Sequence, residues 1–466
     1  MGKPPPPAGR QHRITKPKIM NIIILLFRSR DYWITSCDCS NSLLCQVSSL
    51  VFIRILVEYT TMNANTANTI SNIPFVSTAF YEREKALWQD SWIMAARESD
   101  LLESGSFITL ELKVIKTSIA IIRDGKGNLH GYHNICPHRN GRLFCDRQGK
   151  RAAIVCRFHG WSFTLGGECQ AIPEAQLFPG LGKQDVRLAS ISVDVWGGFV
   201  FINLQANPKH PLADYLHGLP SGLDAFLAGS QWDWYTGYQK EFNANWKDLM
   251  NIQHEGYHAT HVHKKSLGAI FTPEEARNIL FPDSPGLCSR LEVLRPPMEN
   301  MANSQMSLIQ QLSLKFGTTS NWVDQDTSRA ASESEHAVNL NASNRFVFDC
   351  YTFFPNLILF VGTDVLSVMR VWPTGPDSAD WEWDWFFKDK LENFGNLFNR
   401  EHGRLATRNA LAEDWSVVEW AHENMRNGVF NRSYIGSDME ATVQAHYEKV
   451  LQHLGVSETD LEKDYA

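Results

Sequence analysis

Two short pairs of cysteine and histidine residues constrain this chain more than any other feature of its sequence. Cys136 and His138 are separated by one residue, Cys156 and His159 by two, and seventeen residues lie between the pairs. Thiolates and imidazoles are common ligands of transition metals in proteins. The spacing therefore predicts a fold in which two loops meet at a shared metal group.

Each pair supplies one thiol and one imidazole, which together make the ligand set of a Rieske-type [2Fe–2S] cluster. In such a cluster two thiolates hold one iron and two neutral imidazoles hold the other, which raises the reduction potential. Sets of two cysteines and two histidines also bind zinc. Zinc modules usually place both cysteines in one half and both histidines in the other. We therefore predict a [2Fe–2S] cluster on Cys136, His138, Cys156 and His159.

Length and composition limit the class of protein. The chain has 466 residues, enough for two or three domains, and 43% of them are hydrophobic. A formal net charge of -7 argues against binding to nucleic acid or to an anionic membrane. The nine cysteines are irregularly spaced and do not resemble a disulfide framework. A metal-ligand pattern favours a reducing compartment, so we expect a cytoplasmic protein.

The first 61 residues differ from the rest of the chain. They include a run of prolines from Pro4 to Pro7, and their first acidic residue is Asp31. A transit or signal segment would explain the basic start, but no convincing small-residue cleavage site follows. Met62 opens a polar segment that looks like an ordinary protein start. We prefer an extended or misassigned leader, and we assign residues 1–79 to it.

Periodicity predicts an α+β fold made of two domains. Residues 80–205 read as a small antiparallel β domain, and residues 206–466 as a larger domain of antiparallel sheet plus helices. The polar segment from Asn300 to Asn344 predicts a loop near a pocket. The predicted helices are Glu82 to Ala96 and Arg404 to Arg426; the predicted strands are Ile108 to Val114, Ser118 to Arg123, Ala152 to Cys156, Gly198 to Leu204, Arg345 to Phe353 and Leu357 to Val368.

The cysteine and histidine pattern resembles the Rieske domain of the aromatic-ring-hydroxylating non-haem iron oxygenases, in their large (α) subunit. A second segment strengthens the resemblance, because it repeats the family's order and spacing with Asn251, Glu255, Tyr257, His258 and His263. The resemblance covers about residues 80–430. It implies a second centre, a mononuclear Fe(II), and places Asn251 and Glu255 at the catalytic site.

By this resemblance, His258, His263 and a later carboxylate hold the mononuclear iron. Asp414 of the acidic pair Glu413-Asp414 is our choice for the carboxylate, with Glu413 as the alternative. Two imidazoles and one carboxylate on one face of an iron leave positions open for O2 and substrate.

Helical geometry constrains the conformation of the segment from His254 to His263. On a regular helix His254, His258 and His261 share a face, whereas His263 lies about 140° from His258. The helix must therefore end or distort between His258 and His263 if both bind one iron. We expect hydrogen bonds or solvent to satisfy His254 and His261.

Glu255 bears on the substrate. In the family an acid here links an iron-ligand histidine to a cluster-ligand histidine of the neighbouring chain, by resemblance His258 and His159. That acid is usually Asp, and Glu looks like the branch that acts on quaternary amines. In contrast, the segment from His258 to Leu267 looks more like the naphthalene-type dioxygenases. The two features point to different substrate classes.

The resemblance implies the terminal oxygenase of a multicomponent system. The chain has neither a dinucleotide-binding fingerprint nor a plant-type ferredoxin cysteine run, so electrons must come from a separate reductase, with or without a ferredoxin. We expect a homotrimer or an α3β3 assembly that uses O2 to hydroxylate an organic substrate, with an aromatic compound preferred. One alternative is a monooxygenase or demethylase acting on a quaternary amine. The other is a non-catalytic Rieske electron carrier, which would have no second iron.

Overall fold

The computed structural model describes residues 68–264, 276–295, 337–388 and 393–465, together with residues 266, 297 and 308. The leader predicted over residues 1–61, and Met62, lie outside the described residues. So does most of the loop predicted from Asn300 to Asn344.

The first domain is built from antiparallel strands. One seven-stranded sheet has the order β2-β11-β10-β5-β4-β3-β6, and a three-stranded sheet has the order β7-β8-β9. The Asp124 side chain closes the turn between β4 and β5 by accepting hydrogen bonds from the backbone N–H groups of Lys126 and Asn128. The strands are β2 (Ile93–Arg97), β3 (Ser106–Leu112), β4 (Thr117–Arg123), β5 (Leu129–His133), β6 (Gln148–Lys150), β7 (Ile154–Val155), β8 (Ser162–Phe163), β9 (Cys169–Ala171), β10 (Ser190–Trp196) and β11 (Phe199–Asn203).

The helix predicted from Glu82 to Ala96 is wrong. The chain instead forms two short helices, α2 (Thr78–Glu84) and α3 (Leu87–Asp90), and then enters β2. Ile93 pairs with Ile202 of β11, so a ladder to a distant strand overrides the local helical pattern.

Folded structure begins before the domain boundary that the sequence suggested at residue 80. Strand β1 (Thr69–Ser71) pairs with β19 (Arg432–Tyr434), and helix α1 (Ile73–Val76) follows β1. The backbone N–H of Ser71 donates to the Tyr447 hydroxyl at 3.2 Å. Residues assigned to the leader therefore pack against the C-terminal part of the chain.

The second domain is organised around a seven-stranded antiparallel sheet. Its order is β12-β18-β17-β16-β15-β14-β13. The run predicted from Leu357 to Val368 splits into two strands, because the chain turns where Gly362 N–H donates to the Val365 carbonyl. The strands are β12 (Asp233–Phe242), β13 (Ala276–Leu280), β14 (Leu287–Leu294), β15 (Phe346–Phe353), β16 (Leu357–Val361), β17 (Val365–Gly375) and β18 (Ser378–Phe387).

Helices complete the second domain. The long helix α8 (Phe394–Arg426) starts ten residues before Arg404, the predicted start. Asn393 caps it, because its side chain accepts a hydrogen bond from the Asn396 N–H at 3.0 Å. The α+β fold class predicted from the sequence is confirmed. The helices are α4 (Leu212–Tyr215), α5 (Leu223–Gly229), α6 (Trp246–His254), α7 (Ala259–Val262), α8 (Phe394–Arg426), α9 (Ala441–Leu454) and α10 (Glu458–Asp464). Among the residues that the structure describes, no helix is both long and apolar enough to cross a membrane.

Candidate metal centres

The two cysteine loops of the first domain share one backbone design. In each loop the cysteine carbonyl accepts from the N–H four residues later, and the cysteine N–H donates to the carbonyl five residues later. The residue four after each cysteine has a left-handed backbone, with φ of 58° at Asn140 and 73° at Gly160. Glycine and asparagine adopt this conformation at least cost, which explains why they stand at these positions.

These turns bring the predicted cluster ligands together. The rings of His138 and His159 lie 4.4 Å apart between centroids, and the thiols of Cys136 and Cys156 are buried. Burial raises the pKa of the Cys136 thiol to about 11, and the neighbouring Cys156 adds to the rise. The Cys136 thiol is therefore poorly suited to ionise without a cation between the loops.

His138 supplies a test of whether these residues fit a cluster. Its ring stacks on Trp161 with 4.7 Å between centroids and 2° between planes. Its Nδ1 atom is buried and finds no hydrogen-bond partner in the described part of the chain. A buried ring nitrogen held in place without a partner is suited to bind a metal. The residues therefore fit a [2Fe–2S] cluster.

The second centre depends on a break in the chain after α6. That helix ends at His254, and Glu255 is extended, with φ of -141° and ψ of 159°. The single-turn helix α7 then separates His258, at its start, from His263, just beyond its end. The helix does end between the two histidines, and a second break before His258 allows both rings to turn to one point.

Three ligand atoms converge there. The Nε2 atoms of His258 and His263 are 3.2 Å apart, and Asp414 Oδ1 lies 3.4 Å from the first and 3.1 Å from the second. Two ligands bound at right angles about 2.1 Å from a metal would themselves be about 3 Å apart. Asp414 Oδ1 is buried and accepts no hydrogen bond from any described residue. The triangle fits one face of an octahedral metal ion.

Each ligand has a second partner behind it. The Glu255 carboxylate binds His258 Nδ1, and Glu413 Oε2 lies 3.1 Å from His263 Nδ1. With each Nδ1–H donating to a carboxylate, each Nε2 lone pair faces the site. Asp414 Oδ2 accepts a hydrogen bond from Gln253 Nε2 at 2.9 Å. No role was predicted for Gln253 from the sequence, and Glu413 was considered only as a rival ligand.

The electrostatics of this centre favour a cation. Burial lowers the pKa of His258, but Asp414 and Glu255 outweigh it and raise the pKa to about 9. The pKa of His263 is also raised, because Asp414 and Glu413 outweigh burial. The two imidazoles in turn overcome the effect of burial on Asp414 and lower its pKa. Three carboxylates around two imidazoles can compensate a divalent ion.

Two other expectations fare differently. The Asn251 side chain makes no hydrogen bond or ion pair within the described part of the chain, so its catalytic-site role stays a prediction.

The expectation that hydrogen bonds or solvent satisfy His254 is wrong. Its side chain is buried, and neither ring nitrogen has a hydrogen-bond partner among the described residues. The last turn of α6 places it against His446, with 4.9 Å between ring centroids, and burial keeps its pKa well below the usual value. His261 is exposed, and its Nδ1 lies 3.0 Å from Thr260 Oγ1.

Two family models match the chain. Residues 91–182 match the Rieske [2Fe-2S] domain, and residues 227–456 match the ring hydroxylating alpha subunit (catalytic domain). These ranges contain the four residues of the first centre and the three of the second.

Curated relatives are similar over part of their length. The carnitine monooxygenase oxygenase subunit of Acinetobacter baumannii is 29% identical over 203 residues, which is 43% of this chain and 54% of the relative. The glycine betaine monooxygenase oxygenase subunit of Pseudomonas aeruginosa is 25% identical over 244 residues, 51% of this chain and 56% of the relative. The chain thus spans about half the length of the curated relatives it matches.

Solved structures share the fold. The quaternary ammonium Rieske monooxygenase CntA in complex with L-carnitine has a TM-score of 0.62 at 19% identity, covering 83% of this chain and 95% of that chain. Naphthalene 1,2-dioxygenase from Rhodococcus sp., bound to indole, has a TM-score of 0.61 at 18% identity, covering 83% and 94%. At a sequence identity below 20%, the similarity to these structures shows only that the fold is shared.

Proposed function

Because the chain belongs to the family of Rieske oxygenase α subunits, we propose that it is the terminal oxygenase of a multicomponent system. It takes electrons from a separate reductase, with or without a ferredoxin, and uses O2 to hydroxylate an organic substrate. The triangle of His258 Nε2, His263 Nε2 and Asp414 Oδ1 carries this proposal. A pure electron carrier would have no use for a second, buried ligand set.

In this proposal the chain binds two metal centres with different roles. Cys136, His138, Cys156 and His159 would hold the [2Fe–2S] cluster, and His258, His263 and Asp414 would hold the mononuclear iron. When bound, the cluster supplies single electrons and the iron, with coordination positions left open, supplies O2 activation.

Glu255 is a positioning residue in this proposal. One of its oxygens binds His258 Nδ1, and the other accepts the His258 backbone N–H at 3.0 Å. Both contacts fix the ring so that its Nε2 faces the iron site. By the family resemblance, the same carboxylate would also reach the cluster-ligand histidine of a neighbouring copy, equivalent to His159. This requires an assembly of several copies, for which a homotrimer or an α3β3 assembly is proposed.

We further propose a quaternary ammonium compound as the substrate, which reverses the preference for an aromatic compound in the sequence analysis. The curated relatives named above act on carnitine and glycine betaine, and chloroplastic choline monooxygenase of Spinacia oleracea is 26% identical over 203 residues. Glu255, rather than Asp, agrees with that branch. The spacing from His258 to His263 keeps an aromatic compound as the second candidate.

Metal analysis tests the oxygenase proposal directly. One [2Fe–2S] cluster and one mononuclear iron amount to three irons and two sulfides per chain. The His258→Ala variant should keep the absorption spectrum of the cluster, retain two irons and lose O2-dependent turnover. Two irons per chain in the parent protein would instead favour the electron carrier. Turnover with a surrogate reductase, comparing quaternary amines with aromatic compounds, tests the substrate class.

A further inference from the structure

The two oxygens of the Asp414 carboxylate have different surroundings. Oδ1 faces the Nε2 atoms of His258 and His263, at 3.4 and 3.1 Å. Oδ2 accepts a hydrogen bond from the side-chain amide of Gln253, across 2.9 Å. Gln253 lies in the last turn of α6, whereas Asp414 lies in the middle of α8. The hydrogen bond therefore links the two helices directly at the metal site.

We propose that Gln253 is a positioning residue that restricts Asp414 to a single metal-binding oxygen. The inference rests on the proposed function, because it requires His258, His263 and Asp414 to be metal ligands. With Oδ2 held by the amide, the protein contributes three ligand atoms, and three positions of an octahedral ion stay open. A carboxylate that bound through both oxygens would fill one of the positions needed for O2 and substrate.

Burial makes this restriction effective. The Asp414 side chain is almost wholly buried, so water cannot readily take the place of a lost partner at Oδ2. Without the amide, Oδ2 would be left unpaired or would turn toward the cation. A hydrogen bond to an ionised acceptor is one of the stronger kinds, which suits it to hold the carboxylate in one rotation.

Gln253 also differs in kind from the other supports of the site. Glu255 and Glu413 are carboxylates behind the histidines, and they make the imidazoles more basic. Gln253 is a neutral donor behind the aspartate, and it draws electron density away from that ligand. An amide does so without adding charge to a centre that already holds three carboxylates.

The test compares Gln253→Met with a control, Gln89→Met, at an exposed position of α3. Methionine nearly matches the length of glutamine but cannot donate. The mononuclear iron is removed with a chelator while the cluster stays in place, and Co2+ is added. Its dissociation constant is measured by competition with a chelator. X-ray absorption at the cobalt edge reports whether the carboxylate binds through one oxygen or two, without interference from the cluster iron.

We expect Gln253→Met to bind Co2+ about 10–100-fold more weakly than the parent protein. The cobalt spectrum should also change from that of a carboxylate bound through one oxygen to that of a carboxylate bound through two, because Asp414 turns its second oxygen inward in place of a water. The control should match the parent in both measurements. A carboxylate that still binds through one oxygen in Gln253→Met, whatever the dissociation constant, would overturn the inference.

A second variant separates hydrogen bonding from packing. Gln253→Asn keeps the amide but is one methylene shorter, so it also loses the contact with Oδ2 and should weaken Co2+ binding as well. If the asparagine variant loses stability while the methionine variant behaves like the parent, Gln253 only fills space and the inference fails. A parent protein that binds no Co2+ would refute the proposed function itself, whereas normal binding by both variants refutes only the role of Gln253.

Discussion

Glu413 Oε2 lies 3.1 Å from Nδ1 of His263, on the side of the ring opposite the atom that faces Asp414. Successive residues of a helix point about 100° apart, so the side chains of Glu413 and Asp414 extend to two different sides of the His263 ring. The Ser266 hydroxyl donates to Glu413 Oε2 at 2.6 Å and holds it in place. Two adjacent acids thus have separate positions: Glu413 lies behind the His263 ring, and Asp414 faces the two Nε2 atoms at which we propose that the iron binds.

Exchanging each acid in turn should distinguish these two positions. Asp414→Ala removes a ligand atom, and we expect the variant to lose the mononuclear iron on dialysis while it keeps the cluster. Glu413→Gln leaves all three ligand atoms in place, and we expect it to bind that iron about 10–100-fold more weakly. Iron per chain, measured after dialysis against a chelator series, checks both. Loss of the iron in Glu413→Gln alone would reverse the assignment.

Gly160 should be essential for the cluster loop. Its φ of 73° is left-handed, and an added Cβ would lie 3.2 Å from Pro173 Cγ. Gly160→Ala should cost about 1–2 kcal/mol from backbone strain alone, and it should lower cluster content. Gly180→Ala is the matched control, because Gly180 has φ of 85° and no described atom lies within 4 Å of its added Cβ. Visible circular dichroism measures the cluster; equal losses in both variants would contradict a role specific to the loop.

The buried ion pair of Glu84 in α2 with Lys247 in α6 should make the loss of either partner alone costly for stability. The two side chains are 0% and 1% exposed, and Lys247 Nζ lies 2.5 Å from Glu84 Oε1. Burial raises the pKa of Glu84 and lowers that of Lys247, so each group needs the other in order to stay charged. Lys247→Met leaves a buried carboxylate without its partner, and we expect a loss of about 3–5 kcal/mol in the free energy of unfolding.

A double variant provides the comparison for that pair. Replacing both groups, by Glu84→Leu with Lys247→Met, removes the unpaired charge and should recover most of the lost stability. Urea denaturation followed by tryptophan fluorescence measures both variants. A single variant as stable as the parent would show that the pair contributes little.

His422 should make stability depend on pH. Its ring is buried between two acids, with Nδ1 2.8 Å from Asp248 Oδ2 and Nε2 3.1 Å from Asp377 Oδ1. Burial lowers the pKa of His422, but the two carboxylates outweigh it, so the folded pKa lies above the unfolded value of about 6.5. The contribution is therefore complete below pH ~6.5 and is lost as the pH rises through the folded pKa.

The measurement is the free energy of unfolding of the parent protein and of His422→Gln across this pH range. We expect the parent's advantage to be largest at acidic pH, within the range where both proteins fold, and to shrink as the pH rises. An advantage that grows with pH would mean that the imidazole is neutral in the folded protein.

Local spacing predicted what depends on neighbouring residues, and failed where distant contacts decide. The spacing of Cys136, His138, Cys156 and His159 indicated two loops that meet, and the structure brings these residues together. Glu82 to Ala96 carried a helical pattern, yet Ile93 belongs to a ladder with Ile202, more than a hundred residues away. The pattern could not show that partner.

The second centre shows the same limit. The order of Glu255, His258 and His263 indicated which side chains to examine, but the role of the two histidines as ligands stays a prediction. The contact between Gln253 and Asp414 joins residues 161 positions apart, and it depends on how α6 lies against α8. For His254 we expected hydrogen bonds or solvent, but α9 packs against α6 and buries the ring against His446.

The pairing of β1 with β19 has a consequence for how the chain folds during synthesis. The Arg432 side chain donates to the Thr69 hydroxyl across 363 positions of sequence, so β1 stays without its partner strand until β19 has left the ribosome. The first sheet and its two cysteine loops are contiguous in sequence and can form much earlier. Cluster assembly can therefore precede completion of the iron site, and a nascent chain exposes β1 throughout the interval between them.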